Sequence, residues 1–356
     1  MENEKVKYNL FIHLHVHMEE KSRHQNKKRI YGIVIWILAW FTIGYIVQFQ
    51  NLAENKNGIE NIRKNWELTN PALNYEYGIN IMNNAEINLE KPLQEYIQKK
   101  EYDNMVTHVS VYYRDLNNGN WFGINEKEMF SPASLMKLPL LLVYLKKIEK
   151  DPKVRDQKLI YIKDPNESDY TQNIIPQKRL IDNQTYTIKE LLEDMIMYSD
   201  NKASLLLEKN IQLEDYKKAF TDNNMIFPDL IDGRFDNNLK VIDYAKFFRV
   251  LFNGSYVNKE LSNYALLLLT KVDFKQWLVA GVEDETIVAH KFGERDIIQN
   301  GWEQKQLHDC GIIYYPNHPY ILCIMTRGET FEILENIVKS ISQDIYGATK
   351  KEYTKK

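Results

Sequence analysis

The chain has 356 residues, 44% hydrophobic and 27% charged, a balance that fits one sizeable globular domain with added segments and excludes a disordered chain or a repeat array. A net charge of -3 gives no electrostatic footprint for nucleic acid, and the 23 tyrosines are scattered without the basic patch that base stacking requires.

Residues 1–29 read as a short cytoplasmic tail. His13, His15 and His17 alternate in an extended stretch and could share one side of it, but no cysteine or carboxylate pattern nearby completes a metal site, and no metal or other cofactor is expected. Residues 30–47 form an uncharged run of about 18 residues, long enough for a transmembrane helix. Lys21, Arg23, Lys27, Lys28 and Arg29 precede it and predict an inside N-terminus, with everything beyond residue 48 exported. Gln48-Phe49-Gln50-Asn51 lacks a small-x-small cleavage site, so the span at 30–48 is expected to stay as a signal-anchor. A linker follows at 49–70, with Ile59, Ile62 and Trp66 at helical spacing. The remaining residues, 71–356, form the main domain.

Within that domain a helix is expected at 89–99 and a strand at 107–114, where β-branched and aromatic residues alternate. Asp115-Leu116-Asn117-Asn118-Gly119 is a turn, and 121–124 the returning strand. From 131 to about 266 the pattern is helical, broken by loops at 164–183 and 222–238. Strand patterns return at 285–290, 309–315 and 320–326, and a helix at 330–346 ends the domain. This order predicts an α+β fold: an antiparallel sheet built from both ends of the domain, flanked by helices, plus an all-helical lobe, with a cleft between the two for a site. The last two strands read as a hairpin turning at Pro316-Asn317-His318-Pro319. Pairing Tyr315 with Tyr320 sets Cys310 diagonal to Cys323, a geometry in which a disulfide is strained, so buried free thiols are expected.

Three short motifs carry the chemistry. In Ser131-Pro132-Ala133-Ser134-Leu135-Met136-Lys137, Ser131 suits an N-cap and Pro132 the first helical position, which puts Ser134 in the first turn with Lys137 on the same face. That is a hydroxyl nucleophile with its own amine base. Pro139, inside the same helix, predicts a kink and a lost bond to the carbonyl of Leu135. Ser199-Asp200-Asn201 precedes another helix and, alone, reads as a cap. Lys291-Phe292-Gly293 lies at a strand end where a lone lysine is usually solvated. An unassisted serine is a poor nucleophile, and Lys137 can activate it only if burial and a second cation such as Lys291 lower its pKa.

S-x-x-K, S-D-N and K-x-G in this order resemble the motif trio of class A β-lactamase-like serine hydrolases, within the penicillin-recognising serine enzymes, whose third motif is K-T-G. The resemblance covers about residues 70–346. It implies that Ser134 is acylated with Lys137 as base, that Ser199 relays a proton to the leaving nitrogen, and that Asn201 holds the substrate amide. Lys291 tunes Lys137 and Ser199 or attracts a substrate carboxylate. Gly293 lies in the substrate-binding strand, and the N–H groups of Ser134 and Glu294 make an oxyanion hole whose donors are worth about 3–4 kcal/mol each.

Two departures qualify the likeness. The E-x-x-L-N pattern that supplies the water-activating glutamate is absent from 221–239, where Asp222, Asp229, Asp232 and Asp236 are the available carboxylates. Phe292 replaces the hydroxyl residue of the third motif, and Glu294 adds negative charge beside it. The apolar run at 30–48 and the resemblance together lead to the expectation of a membrane-anchored, extracytoplasmic serine hydrolase forming a Ser134 acyl-enzyme from a β-lactam or a D-Ala-D-Ala-type cell-wall peptide. The alternative is a slow-turnover or non-catalytic penicillin-binding protein with the same fold.

Overall fold

The structure, a computed structural model, describes residues 68–70, 89–103, 105–163, 173–228, 230–231, 234–235, 239–299 and 302–354. His13, His15, His17 and the apolar run at 30–48 lie outside these. Among the described residues no helix is long and apolar enough to cross a membrane, and no His/Cys/Asp/Glu group could hold a metal ion.

Helix α1 (Glu90–Tyr102) buries Leu93 and Ile97 and leads into β1 (His108–Asp115). The turn after β1 is an Asx turn, with Asp115 Oδ1 accepting from the N–H of Asn117 at 2.7 Å and of Asn118 at 3.2 Å. Strand β2 (Trp121–Ile124) returns, and the short β3 (Met129–Phe130) follows. The chain comes back to this sheet only at β9 (Ile287–Gln299), β10 (Trp302–Tyr315) and β11 (His318–Gly328), before the closing helix α8 (Phe331–Thr354); the intervening helices, α2 to α7, are placed below. The sheet is antiparallel throughout, in the order β2-β1-β11-β10-β9. Both ends of the domain thus build one sheet, because β1 pairs with β11 across the whole insertion. Central β11 is buried at every residue after His318, which explains its near-continuous apolar run, Tyr-Ile-Leu-Cys-Ile-Met from Tyr320 to Met325.

The insertion is built around α2 (Lys137–Lys150), whose residues 137–145 are all buried, as befits a helix surrounded by others. Around it lie α3 (Ile188–Met197), α4 (Asn201–Glu208), α5 (Leu213–Thr221), α6 (Val241–Phe252) and α7 (Lys259–Thr270). Thr187 and Glu190 form a reciprocal capping box at the start of α3. Helix α6 also packs on β1, β10 and β11, while α8 packs on β10 and β11. Short antiparallel pairs interrupt the helical pattern: β4 (Lys158–Tyr161) with β5 (Gln184–Thr187), β6 (Leu230–Ile231) with β7 (Arg234–Phe235), and β3 with β8 (Leu239–Lys240).

Three expectations need correction. The β10–β11 hairpin turns on two residues, with Tyr315 opposite His318, because Asn317 takes the left-handed conformation (φ 61) that so tight a turn requires. Cys310 therefore sits directly opposite Cys323; both thiols are free and buried, and burial pushes the Cys310 pKa well above its ordinary value. The β9–β10 ladder extends far beyond 285–290 and 309–315, so Lys291-Phe292-Gly293 lies in mid-strand and not at a strand end. Helix α2 begins at Lys137, after a 3-10 turn at Ala133–Met136, so Pro139 sits in a first helical turn where its missing N–H would have had no partner.

Candidate active site

The 3-10 turn carrying Ser134 is held from several sides. Ser131 makes no side-chain cap bond to this turn. Instead its N–H donates to Gln306 Oε1 at 2.9 Å, its Oγ accepts from Arg295 at 2.6 Å, and its carbonyl lies 2.9 Å from His308 Nε2. Burial lowers the His308 pKa to about 4, which keeps the ring neutral. On the other side, Tyr244 donates its hydroxyl to the carbonyl of Leu135 at 3.1 Å and Tyr216 donates to that of Met136 at 2.6 Å. The two hydroxyls thus hold the junction between the 3-10 turn and α2. Ala133 pays for the sharp turn with a left-handed backbone (φ 48), a strain of about 1–3 kcal/mol.

Lys137 comes off the first residue of α2, and its amine is the hub of the site. Nζ lies 3.0 Å from Ser134 Oγ, 2.6 Å from the carbonyl of Ser199, 3.0 Å from Ser199 Oγ and 2.7 Å from Asn201 Oδ1. Ser199 is also left-handed (φ 54), which turns both its carbonyl and its hydroxyl toward this amine. Asp200 caps α4, its Oδ1 accepting from Lys202 N–H at 2.8 Å, while its Oδ2 accepts from Leu180 N–H at 3.1 Å. The S-D-N motif therefore serves both as a cap, through Asp200, and as a lining of the site, through Ser199 and Asn201.

Lys291 reaches in from edge strand β9. Its Nζ donates to Ser199 Oγ at 3.0 Å and to the carbonyl of Phe292 at 2.8 Å. Ser134, Lys137, Ser199 and Lys291 are thus linked by consecutive polar contacts. Each amine sits 3.0 Å from Ser199 Oγ, so the two are at most about 6 Å apart, close enough for their charges to oppose each other. Burial lowers the Lys137 pKa to about 7, against the charges of Asp200 and Glu208, which favour the ammonium. Burial and then the charge of Lys137 push Lys291 well below the ordinary lysine range.

At Gly293, β9 comes close to the 3-10 turn that carries Ser134. A Cβ there would lie 3.2 Å from the backbone nitrogens of both Ser134 and Leu135, so glycine alone lets the strand lie against the Ser134 N–H. Glu294 follows on β9: its carboxyl group accepts from Ile174 N–H at 2.8 Å, and burial raises its pKa. Phe292 packs against Phe274 and Trp277.

The geometry gathers Ser134, Lys137, Ser199, Asn201 and Lys291, with Gly293 and Glu294 on the adjoining strand. Of the loop carboxylates, Asp222 is exposed beyond α5, and Asp229, Asp232 and Asp236 lie outside the described residues. The sequence reading missed Tyr216, Tyr244, Gln306, Arg295, His308 and Glu208.

The comparisons bear on the family and the fold. Residues 88–349 match the model of the beta-lactamase enzyme family. Among solved structures, a PBP-A variant in an acyl-enzyme complex with penicillin G shares 18% identity, with 74% of this chain and 97% of that chain covered at a TM-score of 0.60. The TLA-3 extended-spectrum beta-lactamase shares 19% identity, covering 73% and 98% at 0.62. A beta-lactamase from Chitinophaga pinensis shares 16%, covering 72% and 99% at 0.60. These likenesses establish the β-lactamase/transpeptidase-like fold. No curated protein matches the chain. The family match spans most of the sequence, and the chain belongs to the beta-lactamase enzyme family, as a β-lactamase-like hydrolase of the serine type.

Proposed function

We propose that the protein is a membrane-anchored, extracytoplasmic serine hydrolase that forms an acyl-enzyme on Ser134 from a β-lactam or a D-Ala-D-Ala-type cell-wall peptide. The observation that carries this reading is the 3.0 Å approach of Lys137 Nζ to Ser134 Oγ, with a lysine pKa brought down to about 7. A neutral amine has two N–H donors and one lone pair. The donors go to Ser199 O and Asn201 Oδ1, at 2.6 and 2.7 Å, which leaves the lone pair for the hydroxyl proton of Ser134.

The steps follow from that. Lys137 takes the Ser134 proton as Oγ attacks the carbonyl carbon, and the oxyanion is received by the N–H groups of Ser134 and Glu294. The C–N bond breaks as the proton on Lys137 passes through Ser199 Oγ to the leaving nitrogen. An ester on Ser134 remains for water to cleave. The second reading, a slow-turnover or non-catalytic penicillin-binding protein, is favoured by the absence of an E-x-x-L-N pattern from 221–239 and by Phe292 in place of a hydroxyl, since acylation without a group to activate water leaves a lasting adduct.

Labelling with a fluorescent penicillin and a panel of acyl esters, followed by intact mass measurement, tests the proposal. We expect an adduct in the wild type, none in Ser134→Ala, and acylation slowed about 10²–10⁴-fold in Lys137→Ala. Rapid loss of the adduct with product release marks a hydrolase, and a lasting adduct marks the penicillin-binding reading. An adduct that survives Ser134→Ala would overturn both.

A further inference from the structure

The cation that a substrate carboxylate would seek in this site is already engaged. Lys291 is 0% exposed, and even as an ammonium it has only three N–H donors. One goes to Ser199 Oγ at 3.0 Å and one to the carbonyl of Phe292 at 2.8 Å. The ring of Phe292 lies over the ammonium, with its centroid 4.1 Å from Nζ, and takes up the remaining direction. That ring is itself fixed: Phe292 is 4% exposed, with Phe274 at 4.6 Å and Trp277 at 5.7 Å and 90°, centroid to centroid. The position that would offer a hydroxyl to an anion offers an apolar edge.

Two residues along the same face of β9 stands Glu294. Its carboxyl group is fixed by the N–H of Ile174 at 2.8 Å and, when ionised, offers only acceptors to that side of the strand. A ligand carboxylate brought beside Lys291 would lose water and find a ring and a second carboxylate, a desolvation with no compensating bond. We infer that the leaving-group side of this site takes substrates without a carboxylate, namely neutral esters, amides or lactams, and that Lys291 acts inward on Ser199 and Lys137. The inference rests on the acyl-enzyme reading of Ser134 and narrows its substrate class.

Two matched pairs of acyl donors test it on the full chain: benzylpenicillin with its methyl ester, and an arylacetamido thioester with and without a terminal carboxylate. The readout is the second-order rate of acylation by intact mass, normalised to the hydroxide-catalysed rate of each compound. The wild type should react at least about tenfold faster with the carboxylate-free member of each pair, which amounts to one tenfold step in transition-state binding. Phe292→Thr, checked for folding by its melting profile, should reduce that ratio about tenfold or reverse it, and Glu294→Gln should reduce it in the same direction. Equal or faster reaction of the wild type with the free acids overturns the inference alone and leaves the Ser134 reading standing. A ratio unchanged in a folded Phe292→Thr also overturns it. If none of the four compounds acylates Ser134, the acyl-enzyme reading falls and the inference with it.

Discussion

At the scale of the residue, the account turns on the protonation of Lys137. Only the neutral amine can take a proton, so acylation should rise with pH through a midpoint of about 7 and level off above it. Asp200 and Glu208 stabilise the ammonium, so Glu208→Gln should move the midpoint down; single-turnover acylation across neutral pH reads both. A midpoint in the ordinary lysine range would contradict this assignment. The sign for stability follows from the same shift. The unfolded chain binds this proton more tightly than the folded one, so the lysine's contribution to stability grows as pH rises from about 7 toward the unfolded value of 10.5. The groups that gather here were legible because S-x-x-K, S-D-N and K-x-G are local runs whose order is itself informative. Tyr216, Tyr244 and Glu208 were not, because each stands among other polar residues on an amphipathic helix, and only the tertiary packing decides where its oxygen goes.

At the scale of the element, the site exists because edge strand β9 lies against the 3-10 turn. Gly293→Ala should place a Cβ 3.2 Å from two backbone nitrogens that cannot yield as a flexible side chain would, and should slow acylation about tenfold or more. Its melting temperature should change little. Gly311→Ala, on β10, makes the useful contrast: its Cβ would lie 2.6 Å from the carbonyl of Ala289 and 2.7 Å from His290 Cβ, so it should cost about 1–3 kcal/mol of stability. Acylation rates and thermal unfolding of the two variants separate the effects, and an unchanged rate in Gly293→Ala would argue against the close approach. Strands β1 and β2 were readable from alternation and a turn run, whereas the far halves of β9 and β10 were not, since Arg295, Asp296, Gln304 and Lys305 break the apolar pattern there. The hairpin register was missed by two residues because the left-handed capacity of Asn317 went unweighed against four turn-forming residues in a row.

At the scale of the whole molecule, the sheet closes the first and last strands of the domain around the helical insertion, so the Ser134 turn and the third motif meet although they are far apart in sequence. The α+β class was legible from the order of strand and helix patterns, and the family from the motif order. The three small strand pairs inside the helical region were not, since segments of two to four residues carry too little periodicity to read. The proposed anchor at 30–48 belongs to this scale too. The full chain should stay with membranes through an alkaline carbonate wash, while a form lacking residues 1–48 should be released; release of the intact chain would contradict the anchor.

The central claim is that Ser134, and no neighbouring hydroxyl, carries the acyl group. Acid quenching within seconds of adding an acyl donor, followed by peptic digestion and fragment-ion mass spectrometry, locates the adduct directly. The account predicts the added mass on Ser134 alone, whereas an acyl group on Ser131 or Ser199 would contradict it.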